Sequence, residues 1–124
     1  MPGASRPDPR RALGADGESA VARWYEADGY EVLDRNWRVR EGEIDLVVRR
    51  GSTLVFCEVK TRRSTAFGAP VEAVTYAKQR RLRGLALRWL AAHDTHTADL
   101  RFDVASVMVD GRHAPLIDVI EAAF

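Results

Sequence analysis

Gly42-Glu43-Ile44-Asp45-Leu46-Val47-Val48-Arg49-Arg50-Gly51-Ser52-Thr53-Leu54-Val55-Phe56-Cys57-Glu58-Val59-Lys60-Thr61-Arg62 is the stretch whose reading decides the fold. Residues 43–49 and 54–61 are β-forming runs on either side of a turn containing Gly51 and Ser52. Taking Arg50 to Thr53 as a four-residue loop sets Arg49 opposite Leu54 and fixes every pair below it. One face then carries Ile44–Val59, Leu46–Cys57 and Val48–Val55, all apolar. The other carries Glu43–Lys60, Asp45–Glu58, Val47–Phe56 and Arg49–Leu54. Slipping the pairing by one residue would mix the two faces, so the clean split supports the register.

This register opposes two carboxylates, Asp45 and Glu58. At about 5 Å and an effective dielectric near 20, two full charges repel by about 3 kcal/mol. A fold tolerates that with a bound cation, a shared proton or a wet edge that screens the pair. Hard oxygen ligands with few neighbours suit Mg²⁺ or Mn²⁺, which also bind phosphate oxygens. Lys60, two residues beyond Glu58 on the same face, can reach the same phosphate. The plainer alternative is an ordinary Glu43–Lys60 ion pair with Asp45 and Glu58 at a solvated edge. Val47 and Phe56 share that face and weigh against it, because they desolvate the acids.

Outward from the hairpin, Asp16 is the expected N-cap of a helix running to about Asp28. Val21, Trp24 and Tyr25 form its apolar stripe, and Gly29 ends it. Residues 31–39 read as a strand preceding the hairpin. Gly68 and Pro70 mark a loop, and a long helix fits from Thr75 to His93 with Leu82, Leu85, Ala86, Trp89 and Leu90 on one side. Leu100 to Val109 is a further strand, and residues 115–120 a short one. The order is αβββαβ, an α/β sandwich around a mixed sheet. Residues 1–15 lack apolar periodicity and read as a disordered tail, which leaves 16–124 as a single domain.

The 124 residues, 46% hydrophobic with a net charge of +1, exclude disorder throughout. The purest apolar run, Leu54 to Cys57, is far short of a membrane span. One cysteine makes no internal bridge, and the N-terminus has no apolar signal run, so a soluble cytoplasmic protein is expected. Near-neutrality hides segregation. Residues 14–59 and 91–124 each sum to −4, whereas residues 60–90 carry eight bases against Glu72 and sum to +7. A polyanion could read that middle third, although a basic helix is also often just a solvated face.

Asp45 followed by Glu58-Val59-Lys60 on the next strand resembles the PD-(D/E)xK nuclease signature of restriction endonucleases and archaeal-type Holliday junction resolvases. The fuller pattern is Gly17-Glu18, Arg35-Asn36, Gly42 to Leu46, Val55 to Arg62, Phe67-Gly68 with Pro70, Lys78-Gln79 with Arg81-Leu82, and Arg101-Phe102-Asp103-Val104. In that order the blocks resemble the YraN family of small bacterial proteins, over about residues 14–109. The resemblance implies a restriction-endonuclease-like core, with a mixed sheet flanked by helices. It implies Asp45, Glu58 and Glu18 as metal ligands for Mg²⁺ or Mn²⁺, with Asp45, Glu58 and Lys60 as the catalytic set. Ile44 stands where the nominal motif has proline, a position without a role in metal chemistry.

Gln79 matches a polar position near the site in related nucleases, with a buried structural amide as the alternative. Arg62, Arg63, Lys78, Arg80, Arg81 and Arg83 are candidate phosphate contacts alongside it. Trp37, beside Arg35 and Arg38, could stack on a base but fits strand packing better. His93 and His96 lack the further ligands a zinc site needs and fit a helix C-terminus. Cys57 falls on the apolar hairpin face, and Asp103 has no evident role beyond pairing with a base. The expected function is metal-dependent phosphodiester hydrolysis on structured DNA, with a homodimer plausible by analogy with resolvases. The alternatives are a non-catalytic nucleic-acid-binding module and a repair or recombination adaptor on the same fold.

Overall fold

The computed structural model describes residues 9–63, 74–97, 99–110 and 113–124, with side-chain surroundings from Asp16 onward. Its elements are α1 (Pro9–Ala27), β1 (Glu31–Val39), β2 (Gly42–Arg50), β3 (Thr53–Arg62), α2 (Tyr76–Ala92), β4 (Asp99–Met108) and β5 (Leu116–Ile120). The strands form one sheet in the order β1-β2-β3-β4-β5. All neighbours are antiparallel except β3 and β4, which run parallel over ten pairs from Thr53↔Asp99 to Arg62↔Met108. Parallel neighbours need a crossover, and α2 supplies it. The sheet is therefore mixed and the order αβββαββ, with the short last strand pairing on β4. This is an α/β architecture consistent with a restriction-endonuclease-like core.

Each helix covers one face. Val21, Ala22 and Tyr25 of α1 pack with Leu46, Val48, Val55, Cys57, Ala105 and Val107. Leu85, Ala86 and Trp89 of α2 pack with Ile44, Val47, Leu54, Phe56 and Phe102 on the other side. Most of these side chains are fully buried, and each large aliphatic one contributes about 1.5–3 kcal/mol. Gly29, at φ +83°, ends α1 while the Tyr30 N–H reaches back to the Tyr25 carbonyl at 3.0 Å. Thr75 caps α2 by accepting the Lys78 N–H at 3.2 Å, where the sequence places the helix start. Among the described residues, no helix is long and apolar enough to cross a membrane.

Three expectations need correction. First, α1 does not begin at Asp16 but at Pro9, so Asp16 lies inside the helix and residues 9–15 of the expected tail are helical. Proline is at home in a first turn, where its missing N–H is no loss, and Arg10-Arg11-Ala12-Leu13 favour helix. Residues 1–8 and the Gly68–Pro70 loop lie outside the described residues.

Second, the hairpin turn is two residues, not four. Arg50 pairs with Thr53, and Gly51 takes φ +60°. The register is otherwise as expected, from Leu46↔Cys57 to Arg49↔Leu54.

Third, the ladder stops at Leu46↔Cys57, and Ile44 packs under α2 instead of joining Leu46 and Val59 on the α1 side. Strict alternation fails at one residue, Asp45.

Candidate functional site

Asp45 belongs to neither neighbouring ladder. On one side the β1–β2 pairs run Arg35↔Leu46 and then Trp37↔Ile44, passing over Asn36 and Asp45. Asn36 takes φ +52°, a conformation its short amide side chain tolerates. On the other side, the Asp45 carboxylate replaces a backbone carbonyl: its Oδ2 accepts the Val59 N–H at 2.8 Å. The expected direct opposition of Asp45 to Glu58, and of Glu43 to Lys60, is not formed. Glu43 instead accepts a 2.9 Å bond from Arg38 Nε across the β1–β2 turn.

The local break turns Asp45 toward α1. Gly17 lets that helix sit directly on β3, because a Cβ there would overlap Thr61 Oγ1. The next residue, Glu18, is thereby brought against β2. Glu18, Glu43 and Asp45 each offer a carboxylate oxygen, and these oxygens lie within 4.8 Å of one another. All three residues are half-buried.

Burial pushes the Asp45 carboxyl up to about 7. Glu18, Glu43 and Glu58 push the same way, and the Val59 N–H opposes them. Glu18 is raised as well, chiefly by burial and against a hydrogen bond from Asn36. Three crowded carboxylates, two of them raised by burial, form a site in which a cation would be favourable.

Glu58 lies outside the three-oxygen group yet close enough to Asp45 to raise it. Strand alternation puts Glu58 and Lys60 on the Phe56 side of β3, paired beside Val104 and Ser106 of β4. Glu58 Oε2 is buried without a hydrogen-bond partner among the described residues, and a buried acceptor left unmade costs about 1–3 kcal/mol. Oxygen-only donors, several of them anionic, match the chemistry of Mg²⁺ or Mn²⁺ better than that of zinc or copper. The orphaned Glu58 oxygen and the crowded carboxylates fit such an ion.

The structure thus gathers Glu18 and Asp45 and adds Glu43, which the expected register had set opposite Lys60. The signal for Glu43 was present, since residues two apart on a strand share a face. The expected pairing with Lys60 had accounted for it. The basic candidates lie at the end of β3 and along α2. Arg63 is exposed after β3, and Lys78, Arg80, Arg81 and Arg83 are exposed on α2, whereas Arg62 is half-buried. Gln79 uses its Nε2 to bond the Val74 carbonyl at 2.9 Å, closing the first turn of α2.

The residues set aside have structural places. His93 stacks on Trp89 with centroids 4.1 Å apart and approaches Asp34, while His96 approaches Asp94. Trp37 packs edge-on to His93, and Cys57 is buried. Asp103 does pair with a base, Arg101, at 2.9 Å.

A mixed five-stranded sheet, a helix on each face, and carboxylates gathered where β2 leaves both ladders define an α/β protein with an endonuclease-like core. The chain belongs to the family described as Uncharacterised protein family UPF0102, whose model matches residues 17–107 and so begins at the Gly17-Glu18 pair. It is 60% identical over 97 residues to a UPF0102 protein of Beutenbergia cavernae, covering 78% of this chain and 82% of the relative. It is 50% identical over 115 residues to one of Nocardia farcinica, covering 93% and 91%. A UPF0102 protein of Rhodococcus opacus is 49% identical over 113 residues, covering 91% and 96%.

Proposed function

We propose that this protein is a metal-dependent nuclease that hydrolyses phosphodiester bonds in structured DNA. The observation that carries the reading is the desolvated Asp45, held by one backbone N–H among Glu18, Glu43 and Glu58. Asp45, Glu18 and Glu43 would hold Mg²⁺ or Mn²⁺, with Glu58 completing the set from the adjacent strand. When bound, such an ion supplies polarisation of a phosphoryl oxygen and lowers the pKa of water. The remaining roles fall to the chain itself. Val59 fixes the Asp45 carboxylate, and Arg38 and Asn36 orient Glu43 and Glu18. Lys60, half-buried beside Glu58, offsets the charge that grows on the phosphate as it is attacked. Arg63, Lys78, Arg80, Arg81 and Arg83 supply the sequence-independent attraction to the backbone.

The test is calorimetric titration with Mg²⁺ and Mn²⁺ on the wild type and Asp45→Asn, with a branched-DNA cleavage assay on the same samples. Binding and cutting that both vanish in Asp45→Asn are the expected result. No metal binding by the wild type, with salt-sensitive DNA binding intact, would replace the nuclease with a binding module on the same fold.

A further inference from the structure

Tyr76 opens α2 and is 73% exposed, the most exposed large hydrophobic side chain among the described residues. The guanidinium of Arg80, one turn later, lies 5.9 Å from its ring centroid. Helical spacing puts Tyr76, Arg80, Gly84 and Leu87 on one outward stripe, opposite the buried Leu85, Ala86 and Trp89. No acid occurs anywhere in α2, and Arg81, Arg83 and Arg88 flank the stripe, Arg88 being ion-paired with Glu41 at 3.0 Å. Capping by Thr75 and Gln79 already secures the first turn, so the fold does not need an aromatic ring in solvent at this position.

Its place in the fold is informative. The β3-α2-β4 crossover sets the N-terminus of α2 at the end of the sheet where β3 finishes and β2 begins, the end that carries the carboxylates. The middle of α2 meets that end of the sheet at Gly42, where a Cβ would lie 3.1 Å from Leu85 Cδ1 and 3.6 Å from Arg81 Cδ, and the helix N-terminus lies further along in the same direction. An exposed ring with cations and no nearby helix acid complements a polyanion whose bases show their faces. In a duplex those faces are covered by neighbouring bases, whereas in a single strand they are open to an aromatic platform.

We infer that Tyr76, backed by Arg80, is a stacking platform for an unpaired base, so that the substrate is single-stranded nucleic acid or DNA with an unpaired segment. The inference deepens the nuclease reading and rests on it for the nature of the ligand. Its test needs no cleavage.

With the full chain in EDTA at low salt, binding is measured by anisotropy on an oligothymidine strand carrying one 2-aminopurine, and on the same strand in duplex. Stacking is read as quenching of the 2-aminopurine. The wild type is expected to prefer the single strand and to quench the probe. Tyr76→Ala should lose about tenfold in affinity for the single strand, little for the duplex, and the quenching. Tyr76→Phe should retain all three properties. Because Tyr76 is exposed, Tyr76→Ala should unfold at the wild-type temperature.

Wild-type single-strand affinity and quenching in Tyr76→Ala would overturn the inference, as would equal losses on strand and duplex. No binding of either nucleic acid by the wild type would also overturn it and leave the stripe to a protein partner. Tyr76-dependent stacking without Mg²⁺-dependent cutting would sink the nuclease reading alone. Cutting without Tyr76 dependence would sink this inference alone.

Discussion

Asp45 and Asp103 are both carboxylates shielded in the sheet, and their surroundings are opposite. Asp103 is fully buried and receives four donors: Tyr25 Oη at 2.6 Å, Arg101 Nε and Nη2 at 2.9 Å each, and the Ala122 N–H at 3.0 Å. Arg101 is itself held by the Tyr30 hydroxyl at 3.0 Å and lies over that ring. The buried charge is therefore matched by a half-buried one, and the pair ties α1, β4 and the C-terminal residues together. Asp45 has a single backbone donor and three acids around it. The first arrangement is complete within the chain. The second is left incomplete among the described residues, which the proposed metal ion would account for. Burial alone does not mark a functional carboxylate; burial with too few donors does.

The contrast can be broken most severely at Asp103. Replacing it with alanine leaves the Arg101 guanidinium and the Tyr25 hydroxyl without their shared acceptor. Urea unfolding should show a loss of about 3–5 kcal/mol. A loss below about 1 kcal/mol would mean that this network is not the anchor described.

Gly17→Ala sharpens the other side. Its methyl group collides with Thr61 and must push α1 away from β3, at about 1–3 kcal/mol. Because Glu18 moves with the helix, Mg²⁺ affinity measured by calorimetry should fall without any ligand having been changed.

Asp45→Asn should act in the reverse sense on stability. The unfolded carboxyl loses its proton near its ordinary value of 3.8, and the folded one near 7. Between these values the native state holds the proton more tightly. The contribution of Asp45 to stability is therefore fully present below about 4, falls as pH rises to about 7, and is flat above. Asp45→Asn should lack this slope and be about 1–2 kcal/mol more stable than the wild type at pH 8, read from unfolding curves across pH. The same proton must leave before a cation binds, so Mg²⁺ affinity in the wild type should climb up to about tenfold per pH unit toward 7 and then level off.

Tyr25→Phe is the mildest probe. Asp103 keeps three donors, and the loss should be about 1 kcal/mol by thermal unfolding, with metal binding unchanged.

The four main strands, a short one at 115–120, both helices apart from the first seven residues of α1, and the hairpin register from Leu46↔Cys57 to Arg49↔Leu54 were legible in the sequence, because period-two alternation and turn residues are local signals. The strand order within the sheet was not. The site was legible in part. Asp45, Glu58 and Lys60 stood out through strand spacing and resemblance, and Glu18 through the Gly17-Glu18 pair. Glu43 was set opposite Lys60 by the expected unbroken ladder, with an ion pair between them only as the plainer alternative. Nothing local in Ile44-Asp45-Leu46 announces that alternation fails there, since all three side chains suit a strand. The failure depends on Asn36 in the neighbouring strand taking a positive φ, and on Val59 donating to a side chain instead of a main-chain carbonyl.

The residue types by themselves determined the layered architecture, the concentration of positive charge in the middle segment and the presence of an oxygen-rich acidic set. Tertiary structure alone decided which acids meet, since Glu18 arrives from α1 only because Gly17 admits Thr61 so closely. It also decided that Asp103 gathers four donors whereas Asp45, among the described residues, receives the Val59 N–H alone. Donors to a buried carboxylate come from residues far apart in the chain, such as Tyr25 and Ala122, and their convergence is a property of packing that no local pattern encodes.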